Sequence, residues 1–495
     1  MAESPLAQRT PAVESPLAQR TPAVEPTLAQ RIADFAVTAA TDGVPGEVAV
    51  SVGQRVLDIL GLCVAAHRLP TSAAIIDHVR DQGGRPQATV IGAGGQASAA
   101  HAALANGVLA HSLDYDDTHL PSVLHPSAAV VPAALAAAEH SGASGPCTAR
   151  AIAAGLEVAV RLGMAGYDRE LGNSVYFEHG QHATSITGAM GGAVAAALIY
   201  GADADGVRHT LGLTASMAAG IIEANRTGGT VKRLHCGLAA QAAVTAAQLA
   251  ARGFTGPPTV LEGRFGFFQA WLHGRFFPEE VTGGLGERWS VPDIFFKPYP
   301  ANHFTHAAID AGLALRARGV RPDDVEAITL AVPAAVIRTI GEPIEVKRNP
   351  DTGYQAQFSG PYAVVAGLLG GGGLGVGLDD FTDELARDPA RRALTAKVVL
   401  VPDARCDAIY PQQFPAIVTL RTSDGATLVE EVLANRGGPC RPLSDDELAR
   451  KFGDNVAGRL TPQAADAVRR AAAALDTADD VTALLAPLST FTTGS

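Results

Sequence analysis

From residue 44 to residue 252 the apolar residues recur every three to four positions, and this spacing constrains the fold more than any other feature. Such spacing places the apolar side chains on one face of an α-helix, and Gly or Pro separates most of the stretches. Apart from residues 88–91, nothing here alternates as a half-buried strand does. The predicted helices are residues 47–67, 98–113, 126–140, 148–162, 183–200, 205–222 and 238–252. This part of the chain is therefore predicted to be a bundle of helices.

Residues 183–202 (ATSITGAMGGAVAAALIYGA) are the least charged of these stretches. Their length suggests a membrane span, but they consist mostly of Ala, Gly, Ser and Thr, which gain little in a bilayer. Gly188, Gly192 and Ala196 recur every four residues, which allows neighbouring helices to approach closely. We interpret the stretch as a buried core helix and expect no membrane association.

After about residue 286 the pattern becomes a mixture of strands and helices. Strands are predicted at residues 325–332, 396–401, 416–421 and 427–433, with a hairpin turn at 423–425. Helices are predicted at residues 304–318, 360–369, 444–452, 462–475 and 481–485. The predicted fold class is thus mainly α with an α+β part: a large all-helical domain, a smaller α+β domain, and a helical return that packs on the first domain.

The N-terminus carries an internal repeat, in which ESPLAQRTPAV at residues 3–13 recurs at 14–24 and a partial copy follows at 25–31. Three short copies are too few for a solenoid, and their prolines interrupt any helix. Residues 1–26 are therefore predicted to be a disordered tail, with the first domain starting near Thr27.

Charge and cysteine usage exclude several classes of protein. The chain has 38 Lys and Arg against 50 Asp and Glu, a net charge of −12, which argues against binding to nucleic acid or to an anionic membrane. The five cysteines are widely spaced and form no CxxC, so neither a disulfide scaffold nor a cysteine-rich zinc site is expected. With no secretory signal at the N-terminus, the expected location is the reducing cytoplasm.

Four polar segments between the predicted helices carry the candidate functional residues. They are residues 111–119 (HSLDYDDTH) with 125–127 (HPS), 176–185 (YFEHGQHATS), 225–237 (NRTGGTVKRLHCG) and 297–306 (KPYPANHFTH). The first, with three carboxylates and three histidines, fits a metal site, acid–base groups or a solvated turn. The third suits binding of a carboxylate or phosphate, or is a pair of surface cations.

Two of these segments allow more specific hypotheses. A metal site would need further ligands, for which the pairs His179/His182 and His303/His306 are candidates, but HExxH or a comparable motif is absent. Thr184 or Ser185 is a candidate cap for the following helix, whose N–H groups would then suit an anion.

Two glycine-rich segments imitate nucleotide-binding motifs. Residues 91–97 (IGAGGQA) match a GxGxxA fingerprint, but no strand follows for about 200 residues, so the parallel sheet of a dinucleotide fold cannot form. Residues 370–377 (GGGGLGVG) lack the GK[ST] of a P-loop and are interpreted as a flexible connection. The absence of GxSxG weakens the hypothesis that the protein is a serine hydrolase.

In this order, the polar segments resemble those of the MmgE/PrpD family, which includes 2-methylcitrate dehydratase, cis-aconitate decarboxylase and iminodisuccinate epimerase. The resemblance extends from about Thr27 to the C-terminal region. Its motifs are NG at 106–107 followed by residues 111–118 and 125–127, HATS at 182–185, KRLHCG at 232–237, RGFTG at 252–256, and KPYP at 297–300 with His306.

The resemblance implies an organisation for the whole chain. The helical domain would comprise residues 27–285, the inserted α+β lid domain residues 286–439, and the helices returning to the first domain residues 440–495. It also implies a homodimer, an active site between the two domains, a small di- or tricarboxylate as substrate, and no metal or organic cofactor.

The resemblance further implies which side chains form the site. Catalytic roles are expected for Asp114, His125, His182, Lys232 and Tyr362. Substrate binding is expected for Thr118, Lys232, Arg233, Lys297 and His306. This set agrees with the residues themselves, because a polyanion needs cations and proton abstraction beside a carboxylate needs a positioned base.

The expected reaction is metal-free elimination, in which His125, His182 or Asp114 takes a proton α to a carboxylate and another group protonates the leaving hydroxide. Decarboxylation and epimerisation share the same carbanion and stay open, with dehydration favoured. A non-catalytic anion-binding protein is the alternative from another class. The sequence departs from the family pattern where Ala183 follows His182 and where an extra residue separates Thr118 from His125. Glu178, His179 and Arg226 do not map onto the motifs, so the substrate can differ from methylcitrate.

Overall fold

The computed structural model describes residues 25–224 and 228–491. The predicted disordered tail lies outside the described residues except for Glu25 and Pro26, and Arg226 lies outside them as well. Within the described chain the fold class is confirmed, because the protein is mainly helical and its sheets are small.

The first half of the chain forms a bundle of helices around the largest hydrophobic core. These helices are α1 (Leu28–Asp42), α2 (Gly46–Ala66), α3 (Pro70–Gln82), α4 (Ala99–His111), α5 (Ser127–Ser141), α6 (Gly145–Met164), α7 (Val175–Glu178), α8 (Ala183–Ile199), α9 (Ala204–Thr214), α10 (Val231–Ala250), α11 (Phe267–Leu272) and α12 (Pro278–Thr282). Two short antiparallel pairs interrupt what was predicted to be an all-helical domain: β1 (Ala88–Val90) with β2 (Gly95–Ala97), and β3 (Tyr167–Asp168) with β4 (Asn173–Ser174). Because β1 and β2 pair antiparallel, the GxGxxA segment is a hairpin and not a dinucleotide fingerprint.

Two helix boundaries differ from the prediction in a way that matters for the site. Helix α9 ends at Thr214 and not near residue 222, because the chain turns so that the Gly220 carbonyl accepts from the His182 N–H at 3.0 Å. Helix α10 begins at Val231, seven residues earlier than predicted. Lys232 and His235 therefore stand on the first turns of a helix and not in a loop.

Helix α8, the stretch that resembled a membrane span, is the centre of the bundle, and all 17 of its residues are buried. It crosses α6 at a point where only glycine fits: a Cβ on Gly191 would lie 2.3 Å from the Gly155 carbonyl oxygen. By length and composition a different described helix, α2, is able to span a bilayer, but 72% of its most apolar window is buried inside the protein.

Replacing Gly191 by Ala is expected to destabilise the protein by about 1–3 kcal/mol or more, because the added methyl group forces α6 and α8 apart in a close-packed core. Thermal unfolding followed by circular dichroism measures the effect. The control is Gly453→Ala, since Gly453 is exposed and its added Cβ meets nothing within 4 Å. That substitution should leave the Tm unchanged or raise it, and an equal fall in both variants would contradict the expectation.

A second core contains an α+β arrangement formed by residues from Phe296 to Leu448. Its sheet has the order β6-β5-β7-β8, with β5 parallel to β6 and antiparallel to β7. The strands are β5 (Val325–Val332), β6 (Val398–Pro402), β7 (Ala416–Thr422) and β8 (Thr427–Val432). The helices are α13 (His306–Ala317), α14 (Ala334–Ile340), α15 (Ile344–Arg348), α16 (Gly353–Ala356), α17 (Gly360–Leu369), α18 (Asp383–Ala386), α19 (Pro389–Thr395) and α20 (Ala404–Asp407).

The C-terminal helices α21 (Asp445–Val456), α22 (Pro462–Ala473) and α23 (Thr482–Leu485) return to the first core, which includes residues from Phe452 to Leu488. Lys451 fixes this return, since its Nζ contacts Asp58 Oδ1 of α2 at 2.7 Å and donates to the Tyr115 carbonyl at 3.1 Å. One core thus contains residues from both ends of the chain, and the second core contains residues between them. This is the arrangement that a discontinuous helical domain with an inserted lid requires. The domain boundaries themselves stay a prediction.

Candidate active site

The centre of the candidate site is Asp114, in the buried loop between α4 and α5. Its backbone adopts a left-handed conformation with φ 52°, and two lysines from different parts of the chain meet its carboxylate. Lys297 Nζ donates to Oδ1 at 2.7 Å and to the Asp114 carbonyl at 2.9 Å, and Lys232 Nζ lies 3.5 Å from Oδ2. The side chains of Asp114 and Lys297 are 3% and 0% exposed. The site thus collects two cations around one anion away from bulk water.

The charge state of this group follows from its geometry. Burial raises the pKa of Asp114, but the positive charges of Lys232 and Lys297 outweigh it and hold that pKa well below its usual value. Burial lowers the pKa of Lys232, but the acidic groups around it, Asp114 first among them, together outweigh burial and raise that pKa. With both lysines charged and Asp114 ionised, the group carries a net charge of about +1, which favours an anionic ligand.

His125 lies beside this group in a defined tautomer. Its Nδ1 is 2.7 Å from the Asp117 carbonyl, which can only accept, so Nδ1 carries the proton. Burial and then the charge of Lys297 lower the pKa of His125 to about 3, so the ring is neutral and Nε2 is unprotonated. Thr118 Oγ1 lies 3.3 Å from the same Nδ1. His125 is therefore built to accept a proton at Nε2.

Three further histidines continue from His125 and form, with it, a histidine row. The ring centres of His125 and His111 are 5.5 Å apart, those of His111 and His182 5.6 Å, and those of His182 and His235 4.9 Å. His111 Nδ1 donates to Asp116 Oδ2 at 2.7 Å, which orients its ring as a carboxylate orients a catalytic imidazole. His182 and His235 share a hydrogen bond of 2.9 Å between their Nδ1 atoms. The row offers several exchangeable protons beside the lysines.

The loop is held from behind by Arg55 of α2, which is 1% exposed. Its guanidinium donates to Asp117 Oδ2 at 2.8 Å and to the Ile294 carbonyl at 2.6 Å. Thr118 and Phe295 exchange two backbone hydrogen bonds of 2.7 and 2.8 Å. These contacts tie the Asp114 loop to the segment that carries Lys297, so the geometry between the two is fixed by the fold.

Six of the predicted site residues come together in this structure. They are Asp114, Thr118, His125, His182, Lys232 and Lys297. His306 borders the group: its Nε2 lies 3.0 Å from the Ala301 carbonyl, and burial followed by the charge of Lys297 lowers its pKa to about 3. Arg233 also borders the group: its Nη1 donates to Thr71 Oγ1 at 3.3 Å, and its guanidinium lies 5.3 Å from the centre of the Tyr354 ring.

Tyr362 does not fit the catalytic role expected for it. Its hydroxyl donates to the Asp380 carbonyl at 2.8 Å and lies 3.2 Å from Arg391 Nη1, within the core of the lid. The lid instead brings Tyr354 and Phe358 to the site, where Lys232 Nζ lies 5.1 Å from the Phe358 ring centre. Burial raises the pKa of Tyr354, and the charge of Lys232 counteracts it.

The structure also places the candidate helix caps and the candidate metal ligands. Neither Thr184 nor Ser185 caps α8, which begins after His182 without a side-chain cap. Thr184 Oγ1 accepts from the His125 N–H at 3.3 Å, and Ser185 donates to the carbonyls of Ala219 and His235. Among residues 25–224 and 228–491, no three His, Cys, Asp or Glu side chains are arranged to hold a metal ion, and the absence of a cofactor stays a prediction.

Three neutral buried histidines predict a marked loss of stability in acid. Burial lowers the pKa of His119, His125 and His306 to about 3 in the folded protein, against about 6.5 in the unfolded chain. The unfolded chain therefore binds more protons below pH 6.5, so stability is complete above that pH and falls as the pH decreases towards 3.

Thermal melts between pH 8 and pH 4 test this expectation. His119→Asn should make the fall in Tm between pH 6.5 and 4 shallower, because one of the neutral rings is gone. His78→Asn, at an exposed position, should leave the slope unchanged. A Tm that stays constant from pH 7 to pH 4 would show that these rings are protonated in the folded protein.

Comparison with known proteins agrees with the order of the motifs. The chain matches the MmgE/PrpD N-terminal domain over residues 30–280 and the MmgE/PrpD C-terminal domain over residues 299–477. A cis-aconitate decarboxylase of Mus musculus is 30% identical over 377 residues, covering 73% of this chain and 72% of that protein. A cis-aconitate decarboxylase of Aspergillus terreus is 26% identical over 476 residues, covering 92% and 94%. A mitochondrial 2-methylcitrate dehydratase of Yarrowia lipolytica is 24% identical over 242 residues, covering 46% and 44%.

The two domain matches together account for most of the chain, and the relatives are enzymes. The resemblance noted in the sequence is thereby confirmed: the chain belongs to the MmgE/PrpD family.

Proposed function

We propose that the protein is a lyase acting on a small tricarboxylate, with decarboxylation of cis-aconitate as the first candidate reaction. The observation that carries the proposal is the joint burial of Lys232, Lys297 and Asp114 beside the neutral ring of His125. The relatives that span most of the chain are named cis-aconitate decarboxylases, which favours this reaction over the dehydration expected from the sequence.

The charges explain why a tricarboxylate suits the site. One carboxylate group of the ligand contacts Lys232, whose only ion-pair distance to Asp114 is a loose 3.5 Å. Because Asp114 holds the Lys232 ammonium only loosely, the ammonium can form a short contact with a ligand carboxylate without first leaving Asp114. The further negative charges of the ligand raise the pKa of His125 and His182, so one of these rings takes up a proton as the ligand binds.

Decarboxylation then needs one proton and no further reactant. The bond between the methylene carbon and its carboxylate breaks, and the electron pair forms a new terminal C=C bond. The electrons of the original C=C bond take a proton from the charged imidazole at the adjacent CH carbon. The products are CO₂ and methylenebutanedioate, and the imidazole returns to its neutral form.

Dehydration of 2-methylcitrate is the second candidate, and the unprotonated Nε2 of His125 favours it. In that reaction Nε2 takes the proton α to a carboxylate, the electron pair forms C=C, and hydroxide leaves as water after protonation by a neighbouring ammonium or imidazolium. Both reactions place a negative charge next to a carboxylate, where Lys232 and Lys297 stabilise it.

Proton NMR in D₂O with and without EDTA tests the proposal. The protein is incubated separately with cis-aconitate, 2-methylcitrate, citrate and iminodisuccinate. We expect methylenebutanedioate carrying one deuterium from cis-aconitate, at the same rate in EDTA. Water loss from 2-methylcitrate would select the second candidate, and α-deuteration alone would select an epimerase. No change in any substrate would refute the lyase proposal. Loss of activity in EDTA would refute the expectation that the reaction is independent of metals.

We also propose a homodimer, as the family resemblance implies. Val231 and Leu238 stand seven residues apart on one face of α10 and are 46% and 45% exposed, and a dimer interface on this face would bury both side chains. Light scattering coupled to size-exclusion chromatography should give twice the mass of the 495-residue chain. A monomer mass at micromolar concentration would refute the dimer.

A further inference from the structure

His303 is a buried histidine that the site described above leaves without a role. It lies in a single helical turn (His303–Thr305) between Lys297 and α13 and is 3% exposed. Neither of its ring nitrogens has a hydrogen-bond partner among the described residues. Buried polar atoms are nearly always paired, so a ring with two unpaired nitrogens calls for a missing partner.

The described residues around His303 make aromatic contacts with its ring but no hydrogen bond to either ring nitrogen. The ring stacks on His306 with centres 4.4 Å apart and meets the rings of Phe295 and Phe414 at 5.7 and 5.8 Å, each nearly perpendicular. Burial, followed by the electrostatic interactions with His306 and Lys297, lowers the pKa of His303 well below its usual value. The ring is therefore neutral, with one N–H donor and one acceptor nitrogen left unused.

The charges that act on His303 are those of the site. The titratable groups that influence His303 are Lys297, His125 and Asp114 as well as His306. Other buried atoms without partners belong to the same region: His306 Nδ1, His111 Nε2 and Asp116 Oδ1. Unpaired donors and acceptors from separate segments thus belong to the site or to its direct neighbours, as expected where a ligand supplies the missing partners.

We propose that His303 is a substrate-binding residue whose ring N–H donates to a carboxylate of the bound polycarboxylate. The inference rests on the proposed function and extends it, because it assigns a neutral donor in addition to the two ammonium groups. A purely structural ring at this position would be better served by Phe, which fits between Phe295 and Phe414 without burying polar atoms.

Binding of tricarballylate, a tricarboxylate without the double bond or hydroxyl needed for either reaction, tests the inference by isothermal titration calorimetry. His303→Phe keeps the ring and removes both nitrogens. It should weaken binding at least about tenfold without lowering the Tm. His303→Asn restores a donor and should recover most of the affinity.

The matched control is His101→Phe. His101 also has a buried Nδ1 without a partner, but it stands ten residues before His111 on α4, about 15 Å along the helix axis. Its replacement should leave the affinity unchanged. Binding by His303→Phe within twofold of the wild type would overturn the inference.

Nitrogen NMR of histidine-labelled wild-type protein keeps the test decisive if His303→Phe does not fold. The His303 signals, assigned with His303→Asn, should shift on addition of tricarballylate, and unshifted signals at saturation would reject the contact. Failure of the proposed function is recognised separately, since it shows as a wild-type protein that converts none of the four substrates.

Discussion

Replacing His125 by Asn is expected to lower kcat by about 10²- to 10⁴-fold, the usual contribution of a general acid–base group, while KM changes little. The His125 Nδ1–H donates to the Asp117 carbonyl at 2.7 Å, and the amide of Asn is able to keep that bond. The substitution removes Nε2, the atom proposed to accept the proton in dehydration and to deliver it in decarboxylation. Steady-state kinetics with the substrate identified by NMR measure the effect.

The control for His125 is His119→Asn in the same buried loop. His119 Nδ1 lies 2.7 Å from Ser122 Oγ, so an amide again preserves the local bond, but this ring belongs to neither the histidine row nor the lysine group. Its kcat should stay within about threefold of the wild type. Turnover by His125→Asn within tenfold of the wild type would remove His125 from the reaction and direct attention to His182.

The sequence predicted those parts of the site in which the functional residues and the elements that position them are neighbours along the chain. The loop from His111 to His125 lies between two helices whose ends are marked by spacing and proline, so its place and its density of ionisable groups were predictable, but its burial was not, because a solvated turn fitted the same pattern. His111, Asp116 and His235 stood inside the quoted motifs but received no role. Their function depends on ring-to-ring distances such as the 4.9 Å between His182 and His235, which no linear pattern contains.

The two tyrosines of the lid show what the sequence could not decide. Tyr354 and Tyr362 are eight residues apart, yet one lies near Lys232 and the other bonds to Asp380 within the lid. Their directions are set by two separate helix starts, at Thr352 and Ser359, whose side chains cap α16 and α17. The point at which such a short capped helix starts decides the direction of each of its side chains. Helix boundaries are also the least certain part of a prediction from sequence.

The largest effect on stability is expected from the second lysine of the site. Lys297→Met should lower the Tm by several degrees, because the buried Asp114 carboxylate and the Asp114 main-chain carbonyl each lose their contact with the Lys297 ammonium and breaking a buried pair costs about 3–5 kcal/mol. Lys232→Met should leave the Tm nearly unchanged, since Lys297 still neutralises Asp114. The same variant should lower kcat/KM by about 10²-fold or more, because Lys232 is the cation free to meet the substrate.

A double variant separates the effect of Lys297 on stability from its effect on turnover. Asp114→Asn combined with Lys297→Met removes both members of the buried pair, and replacing both partners is usually far less costly than removing one. The Tm should therefore recover most of what Lys297→Met loses, while turnover stays as low as we expect for Lys297→Met, in which one of the two cations of the site is gone. If the double variant is as unstable as Lys297→Met, the lysine stabilises the protein through packing of its buried stem. If turnover returns together with stability, the Lys297 ammonium acts on the fold alone and Lys232 meets the substrate without it.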